Sequence, residues 1–291
     1  MTTSAATDPN RPAAEPSTVW LDPETVRFLE RHQATCSTDV ARRELIDLGD
    51  AFLLHDPLDA DPAFNRIGGV RWPEDGVTFE GRLRTVMDVF RALDRRPCFW
   101  LSPEHSEPAD LAMRLVGRGF TEGRGGFLML LEQTPSQDPL VGLAPGVRVQ
   151  RLRGGRRPEG ELVGGIADAL SDAFGIDGSA RRQLEIDIDD GLRRLPGVSL
   201  CIVTVDDGVV AVGKSHTRDA ATYLSAIGSR AAFARRGYGS LVTRVLARDA
   251  AAAGSRWIFL GVDADNLPAR RLYSGLGFAI VGARARDFLL G

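Results

Sequence analysis

The chain is divided at residues 133–146, QTPSQDPLVGLAPG, which hold three prolines, two glycines and no apolar periodicity. Proline locks its own φ and withholds a backbone donor, so neither a helix nor a central strand runs through such a stretch. It reads as a linker. Residues 19–132 and 147–291 on either side are each of ordinary domain length. Residues 1–18, polar and rich in Ala, Pro and Thr, read as a disordered tail without the apolar segment of a signal peptide.

With 36 basic residues against 39 acidic ones, the net charge of −3 lacks the positive excess that general binding to nucleic acid or an anionic membrane requires. Cys36, Cys98 and Cys201 lie far apart, show no metal-ligand spacing and are odd in number, which fits buried thiols in a reducing compartment. No segment approaches the roughly 18 consecutive apolar residues of a membrane span. The expectation is a cytoplasmic protein with no nucleic-acid or membrane partner and no metal, acting on a small molecule or another protein. Nothing in the sequence marks an oligomeric state.

In the first half, ETVRFLERH and DVARRELIDLGDAF read as helices and FNRIGGV as a strand. They are followed by the helix EGRLRTVMDVFRAL, the strand CFWLS, the helix EPADLAMRLVGRGF and the strand GFLMLLE. The second half opens with the strand VRVQRL and two helical stretches, EGELVGGIADALSDAF and SARRQLEIDIDDGLRRL. The strands VSLCIVTVDD and VVAVGKSHTR follow, joined through Asp206, Asp207 and Gly208, a hairpin-type turn. After AATYLSAIGS come a helix from about Ser240, the strand RWIFLGVD, the helix LPARRLYSGLG and closing strands in FAIVGARARDFLL. This order predicts an α+β fold: a mixed, mostly antiparallel sheet flanked by helices.

The stretch ARRGYGSLVTRVL, Ala234 to Leu246, sets Gly237 and Gly239 at the start of the helix that buries Leu241, Val242, Val245 and Leu246. Glycines let backbone N–H groups converge, and the first N–H groups of a helix have no internal partner. With the helix dipole and the charges of Arg235 and Arg236, the segment has the makings of an anion cradle. By itself the Gly-x-Gly pattern fits an ordinary glycine loop equally well. No third glycine follows to make a dinucleotide turn, and no Gly-Lys-Ser/Thr to make a P-loop.

One strand later, NLPARRLYSGLGF places Asn266, Ala269, Leu272, Tyr273, Gly277 and Phe278 in the pattern Asn-x-x-Ala-x-x-Leu-Tyr-x-x-x-Gly-Phe. The two stretches at this separation closely resemble the GNAT superfamily of acyl-CoA-dependent N-acetyltransferases. The family's pyrophosphate loop reads Arg/Gln-x-x-Gly-x-Gly/Ala, and this chain departs from it at Ala234, its arginines standing one and two positions later. The resemblance implies acetyl-CoA as the acetyl donor. Backbone groups of Ile227 and Ser229 would pair with the pantetheine arm, and N–H groups from Arg235, Arg236, Gly237, Tyr238, Gly239 and Ser240 would cradle the pyrophosphate. Asn266 would lie beside the acetyl end, and Tyr273, in the alternative a core aromatic, would protonate the departing thiolate. For the base, Tyr223, His216, Asp263 and Asp265 are open candidates, His216 being more readily a solvent-facing residue of the strand without a catalytic part.

Aligned at their Gly-Phe ends, ADLAMRLVGRGF and LPARRLYSGLGF suggest that the first half is a degenerate copy of the same fold, the alternative being an unrelated α/β cap. In the first half Leu115 and Pro108 stand for Tyr273 and Asn266, and RWPEDGVTFEG carries acids where a phosphate cradle would be. The implied function is acetyl transfer to a primary amine of a small molecule by direct attack in a ternary complex. A non-catalytic acyl-CoA-binding regulatory module and a protein N-acetyltransferase are the alternatives. The acidic run Glu185–Gly191 mildly favours a cationic acceptor.

Overall fold

The computed structural model describes residues 16–155 and 158–291, so most of the expected tail lies outside the described residues. Of its last residues, Ser17 accepts a hydrogen bond from the Ile280 N–H, and Thr18–Val19 form the short strand β1. Helix α1 (Pro23–Cys36) starts on Asp22, whose carboxylate accepts from the Thr25 N–H, with Pro23 in the first turn.

The segment expected to be a second helix is a hairpin. β2 (Glu44–Asp47) pairs antiparallel with β3 (Phe52–His55). Gly49 turns the chain at φ +81°, its N–H bonded to the Asp47 carboxylate. The apolar residues of ELIDLGDAFLLH recur at spacings that also suit a helix, and the Gly49–Asp50 pair is the signal that separates the two. Then follow β4 (Arg66–Gly68), α2 (Gly76–Ala92), β5 (Cys98–Leu101), α3 (Leu111–Val116), β6 (Phe120–Glu122) and β7 (Gly126–Leu131). Residues 133–146 form neither helix nor strand.

The second half runs β8 (Val147–Arg153), α4 (Gly160–Phe174), α5 (Gly178–Arg194), β9 (Val198–Val205), β10 (Gly208–Arg218) and β11 (Ala221–Ser229). It continues with α6 (Tyr238–Ala252), β12 (Trp257–Asp263), α7 (Leu267–Gly275), β13 (Phe278–Val281) and β14 (Arg286–Leu290). Asp206 and Asp207 both take positive φ in the β9–β10 turn, the geometry that matches strand twist in a two-residue hairpin. None of the described helices is long and apolar enough to cross a membrane.

An eight-stranded sheet has the order β1-β13-β7-β12-β11-β10-β9-β8, and a six-stranded sheet the order β2-β3-β4-β5-β14-β6. The succession of three antiparallel strands, helix, parallel strand, helix and two strands occurs twice, in β2–β7 and in β9–β14. The last strand of each run is exchanged. β7 from the first half lies between β12 and β13, and β14 from the second lies between β5 and β6.

One face of the large sheet packs on α6 and α7 through Met129, Leu224, Val242, Val245, Leu246, Leu260 and Phe278. The opposite face packs on α4 and α5 at one end and on α1 at the other, where Val26 and Leu29 meet Leu128, Leu130 and Phe259. The small sheet buries Ile67, Phe99 and Phe288 against α2 and α3, and its other face turns to α1, Arg31 lying 5.9 Å over the Phe52 ring. α1 is thus a wedge between the two sheets, further tied to the small-sheet side by the buried Glu30–His105 pair at 2.7 Å.

Because each sheet has a central strand drawn from the other half, residues 133–291 alone would leave the facing edges of β12 and β13 unpaired. That fragment is expected to lose cooperative thermal unfolding in calorimetry, and mixing it with residues 1–132 to restore the transition.

Candidate active site

The parallel pairing of β11 with β12 runs only from Ala221↔Trp257 to Leu224↔Leu260. Beyond it the strands part. Ser225–Ser229 of β11 and Gly261–Asp263 of β12 face each other without a ladder, although each still pairs on its outer side, with β10 and β7 respectively. The cause lies in β11: Ala226 sits at φ +48°, and the register to β10 slips between Gly228 and Ser225. Such a bulge bends the strand away from its neighbour. The carboxy-terminal end of α4 packs tightly behind it, since a Cβ on Gly228 would meet Ala173 at 2.7 Å.

The open edge leads directly into the glycine loop. Asp172 on α4 accepts from the Ala231 N–H at 2.8 Å and anchors the loop's entry. Arg235 and Gly237 take left-handed φ values of +60° and +83°, and no side chain caps α6, which Gly237 precedes. By contrast, α1, α2 and α7 are capped by Asp22, Asp75 and Asn266. The N–H groups of Tyr238, Gly239 and Ser240 are therefore free of intrahelical and side-chain partners. A Cβ on Gly237 would face open space. Arg236 lies 5.1 Å over the Phe233 ring, which itself leans toward Tyr238, so these side chains stiffen the loop.

The structure gathers Ile227, Ser229 and Arg235–Ser240 along one continuous path. Asn266 is exposed and its side-chain oxygen caps α7 by accepting from the Ala269 N–H. Tyr273 is buried beside Phe278 on the α6/α7 face. Burial, then the proximity of Tyr223, push its phenol up to about 12, so it carries its proton at neutral pH.

The four candidate bases differ sharply. Tyr223 accepts a hydrogen bond from Gln33 of α1 at 3.0 Å, and burial pushes it up to about 12. His216, expected to face solvent, is half-buried beneath α1 with its Nδ1 unpartnered, and burial lowers its pKa. Asp265 is exposed and ion-paired to Arg124 at 3.2 Å. Asp263 ends β12 on the α1 face at the parted strands; its residue is exposed, and partial desolvation of its carboxylate, then the neighbouring Asp265, raise its pKa.

The acidic run on α5 is neutralised: Glu185 and Asp187 pair with Arg181 and Arg42 at 2.5 Å, Asp190 with Arg194 at 2.7 Å, and Asp189 with Arg193. It offers no free field for a cationic acceptor. Gln33 escaped the sequence reading, although a glycine inside the apolar strand WIFLGVD signals a close approach. A Cβ on Gly261 would meet Gln33 Nε2 at 2.8 Å.

At the matching position of the small sheet, β4 and β5 pair at Ile67↔Phe99. Beyond that point the chain fills its own gap: the Glu107 N–H donates to Val70 O, and the Trp72 N–H to Glu107 O. Trp72 is 2% exposed. The helix that follows, α2, begins on the Asp75 carboxylate.

Residues 202–286 match the family described as FR47-like protein. The fold is that of a GCN5-related N-acetyltransferase from Kribbella flavida (20% identity, 89% of this chain and 94% of that one, TM-score 0.62). It is likewise that of a GCN5-related N-acetyltransferase from Sphaerobacter thermophilus (16%, 84% and 81%, 0.58). A tandem GNAT protein from the clavulanic acid biosynthesis pathway aligns over 94% of this chain and 97% of its own at 14% identity and a TM-score of 0.55. No curated protein sequence matches the chain.

His32 of α1 and His216 of β10 beneath it are neighbours, and both are held below the usual histidine value, chiefly by burial. The nearby charges are Asp39, Lys214, Arg218 and Asp219. The unfolded chain takes up protons near pH 6.5 that the folded chain refuses, so stability declines as pH falls through that value. The melting temperature is expected to drop between pH 7.5 and 5.5, and His216→Gln to flatten the drop.

Proposed function

From the fold shared with GCN5-related N-acetyltransferases, we propose that this chain moves an acetyl group from acetyl-CoA to a primary amine of a small-molecule acceptor, by direct attack in a ternary complex. The observation that carries the reading is the unpaired β11 edge running into an uncapped helix start. A backbone edge is what an amide-bearing arm can join as an added strand, and a glycine-lined helix N-terminus is what a pyrophosphate needs. The family match on residues 202–286 spans both.

Ile227 and Ser229 would hold the arm, and the N–H groups from Arg235 to Ser240 the pyrophosphate, with Arg235 and Arg236 supplying charge despite Ala234. The thioester supplies a carbonyl carbon open to attack by an amine. On the protein's side, a backbone N–H near Ile227 would stabilise the carbonyl oxygen as it gains negative charge. Asp263 takes the proton of the acceptor amine, since a carboxylate with a raised pKa is the better base. Tyr273 delivers its proton to the departing sulfur, a role its raised pKa suits. Orientation of the two substrates contributes much of the rate.

The recurrence of element order supports reading the chain as two copies of one fold, with 19–132 the degenerate copy and 147–291 the catalytic one. In the first copy Glu107 and Trp72 fill the slot and the Asp75 carboxylate occupies the helix start, which suits a scaffold without its own donor. α1 and the small sheet crowd the face opposite α6 and α7, an enclosure that favours a small acceptor over a protein terminus.

Calorimetric titration is expected to give micromolar acetyl-CoA binding to the wild type, abolished in Gly237→Glu. Gly237→Ala, which carries the same backbone strain without the charge, should lose at most tenfold. Absence of binding to wild type would sink the reading. Among amines that turn over by thiol release, Asp263→Asn is expected to lower kcat by about 10²–10⁴ and to shift the acid limb of its pH profile. Tyr273→Phe should lower kcat by about tenfold or more while leaving acetyl-CoA affinity unchanged.

A further inference from the structure

Alternation places Tyr223, Gly261 and Asp263 of the large sheet, with Gly126 of β7 registered opposite Asp263, on the face turned toward the small sheet. On the small sheet, Ile67 and Phe99 point into the α2/α3 core, so their neighbours Arg66 and Trp100 point the other way, into the same space. The contacts close the circuit. The Arg66 guanidinium lies 4.3 Å over the Trp100 ring, and the far tip of that ring would be 3.1 Å from a Cβ on Gly126. Beside Gln33 of the α1 wedge, the two sheets therefore confront each other with Arg66 and Trp100 on one wall and Asp263 on the other.

Arg66 is half-buried and, among the described residues, has no carboxylate within ion-pair distance and no hydrogen-bond partner for its guanidinium. Most arginines in this protein are paired, including Arg42, Arg43, Arg71, Arg82 and Arg181. A partly desolvated guanidinium held over an indole, its fork unused, is preorganised for a planar anion. The surrounding charges limit that anion. Asp263, Asp265 and Asp287 lie nearby, with Arg124 paired to Asp265. One free arginine in that setting suits a monoanionic carboxylate and opposes a dianionic phosphate.

We propose that Arg66 and Trp100 of the first half form the carboxylate-binding wall of the acceptor pocket, so that the acceptor is an amino acid or a similar amine bearing a carboxylate. The amine faces Asp263, the carboxylate meets the Arg66 fork, and the side chain or linker between them runs along Trp100. The inference rests on the acetyl-transfer reading above and names the acceptor class for it. It also gives the first half a role in selecting substrate.

The test uses the full chain and matched pairs: α-, β- and γ-amino acids, each with its carboxamide, assayed by thiol release with acetyl-CoA and by ligand-observed NMR binding in the presence of CoA. Acids are expected to bind at least tenfold more tightly than their amides and to be turned over in preference. In Arg66→Gln the preference should vanish through a rise in KM for acids alone, with acetyl-CoA affinity within twofold of wild type. Arg66→Lys should restore part of it, whereas a purely structural role would change acids and amides alike. If no acid in the panel is preferred to its amide, or if the preference survives in Arg66→Gln, the proposal is overturned. Intact acetyl-CoA binding in that event leaves the acetyl-transfer reading standing, and its absence removes that reading too.

Discussion

The architecture depends on the reciprocal exchange of β7 and β14. A strand edge is a row of donors and acceptors that must be paired or solvated. Here the gap between β12 and β13 is filled by a strand from the first half, and the gap between β5 and β6 by one from the second. The exchange fixes where the two sheets lie, and α1 is clamped between them. That placement sets Gln33 against Tyr223, buries His32 and His216, and brings Trp100 against Gly126. The parted strands of the large sheet are thus walled by residues far away in sequence.

A comparison of the two sheets shows how one topology yields two different slots. In both, the first strand of a central parallel pair leads into a helix, and the second strand follows that helix. In the large sheet the bulge at Ala226 splays β11 from β12, and the next helix begins on a bare glycine. In the small sheet Glu107 supplies the missing backbone partner, Trp72 fills the volume and a carboxylate caps the helix. A backbone segment that satisfies the N–H and C=O groups of an edge removes the reason for a ligand to bind there.

Local features were legible in the sequence. The glycine loop, the turn at Asp206–Asp207 and the run from Asn266 to Phe278 depend on a few adjacent residues, and each has a backbone or capping requirement that residue type reveals. The β2–β3 hairpin was misread because its apolar spacing suits two periods, and only the Gly49 turn decides between them. Exchange was not legible at all. GFLMLLE announces a strand buried on both faces, but nothing in those residues says which sheet receives it, because ladder hydrogen bonds are made by the backbone common to every residue. For the same reason Arg66 and Gln33 carry no local signal, and Trp100 in CFWLS reads as readily as a core residue as a wall of a cleft. Their significance appears only once two sheets face each other.

The place of β14 has a bearing on how the protein is made. Residues 286–290 form the penultimate strand of the small sheet, whose other strands all lie before residue 123. At translation rates of roughly 5–20 residues per second, the first half waits on the order of ten seconds, with an open slot between β5 and β6, until β14 leaves the ribosome. During that interval the apolar face around Phe99 and Phe120 is unsealed by Phe288. β14 thus acts as a latch that closes the small sheet only after the strands and helices of the second half that precede it have been synthesised.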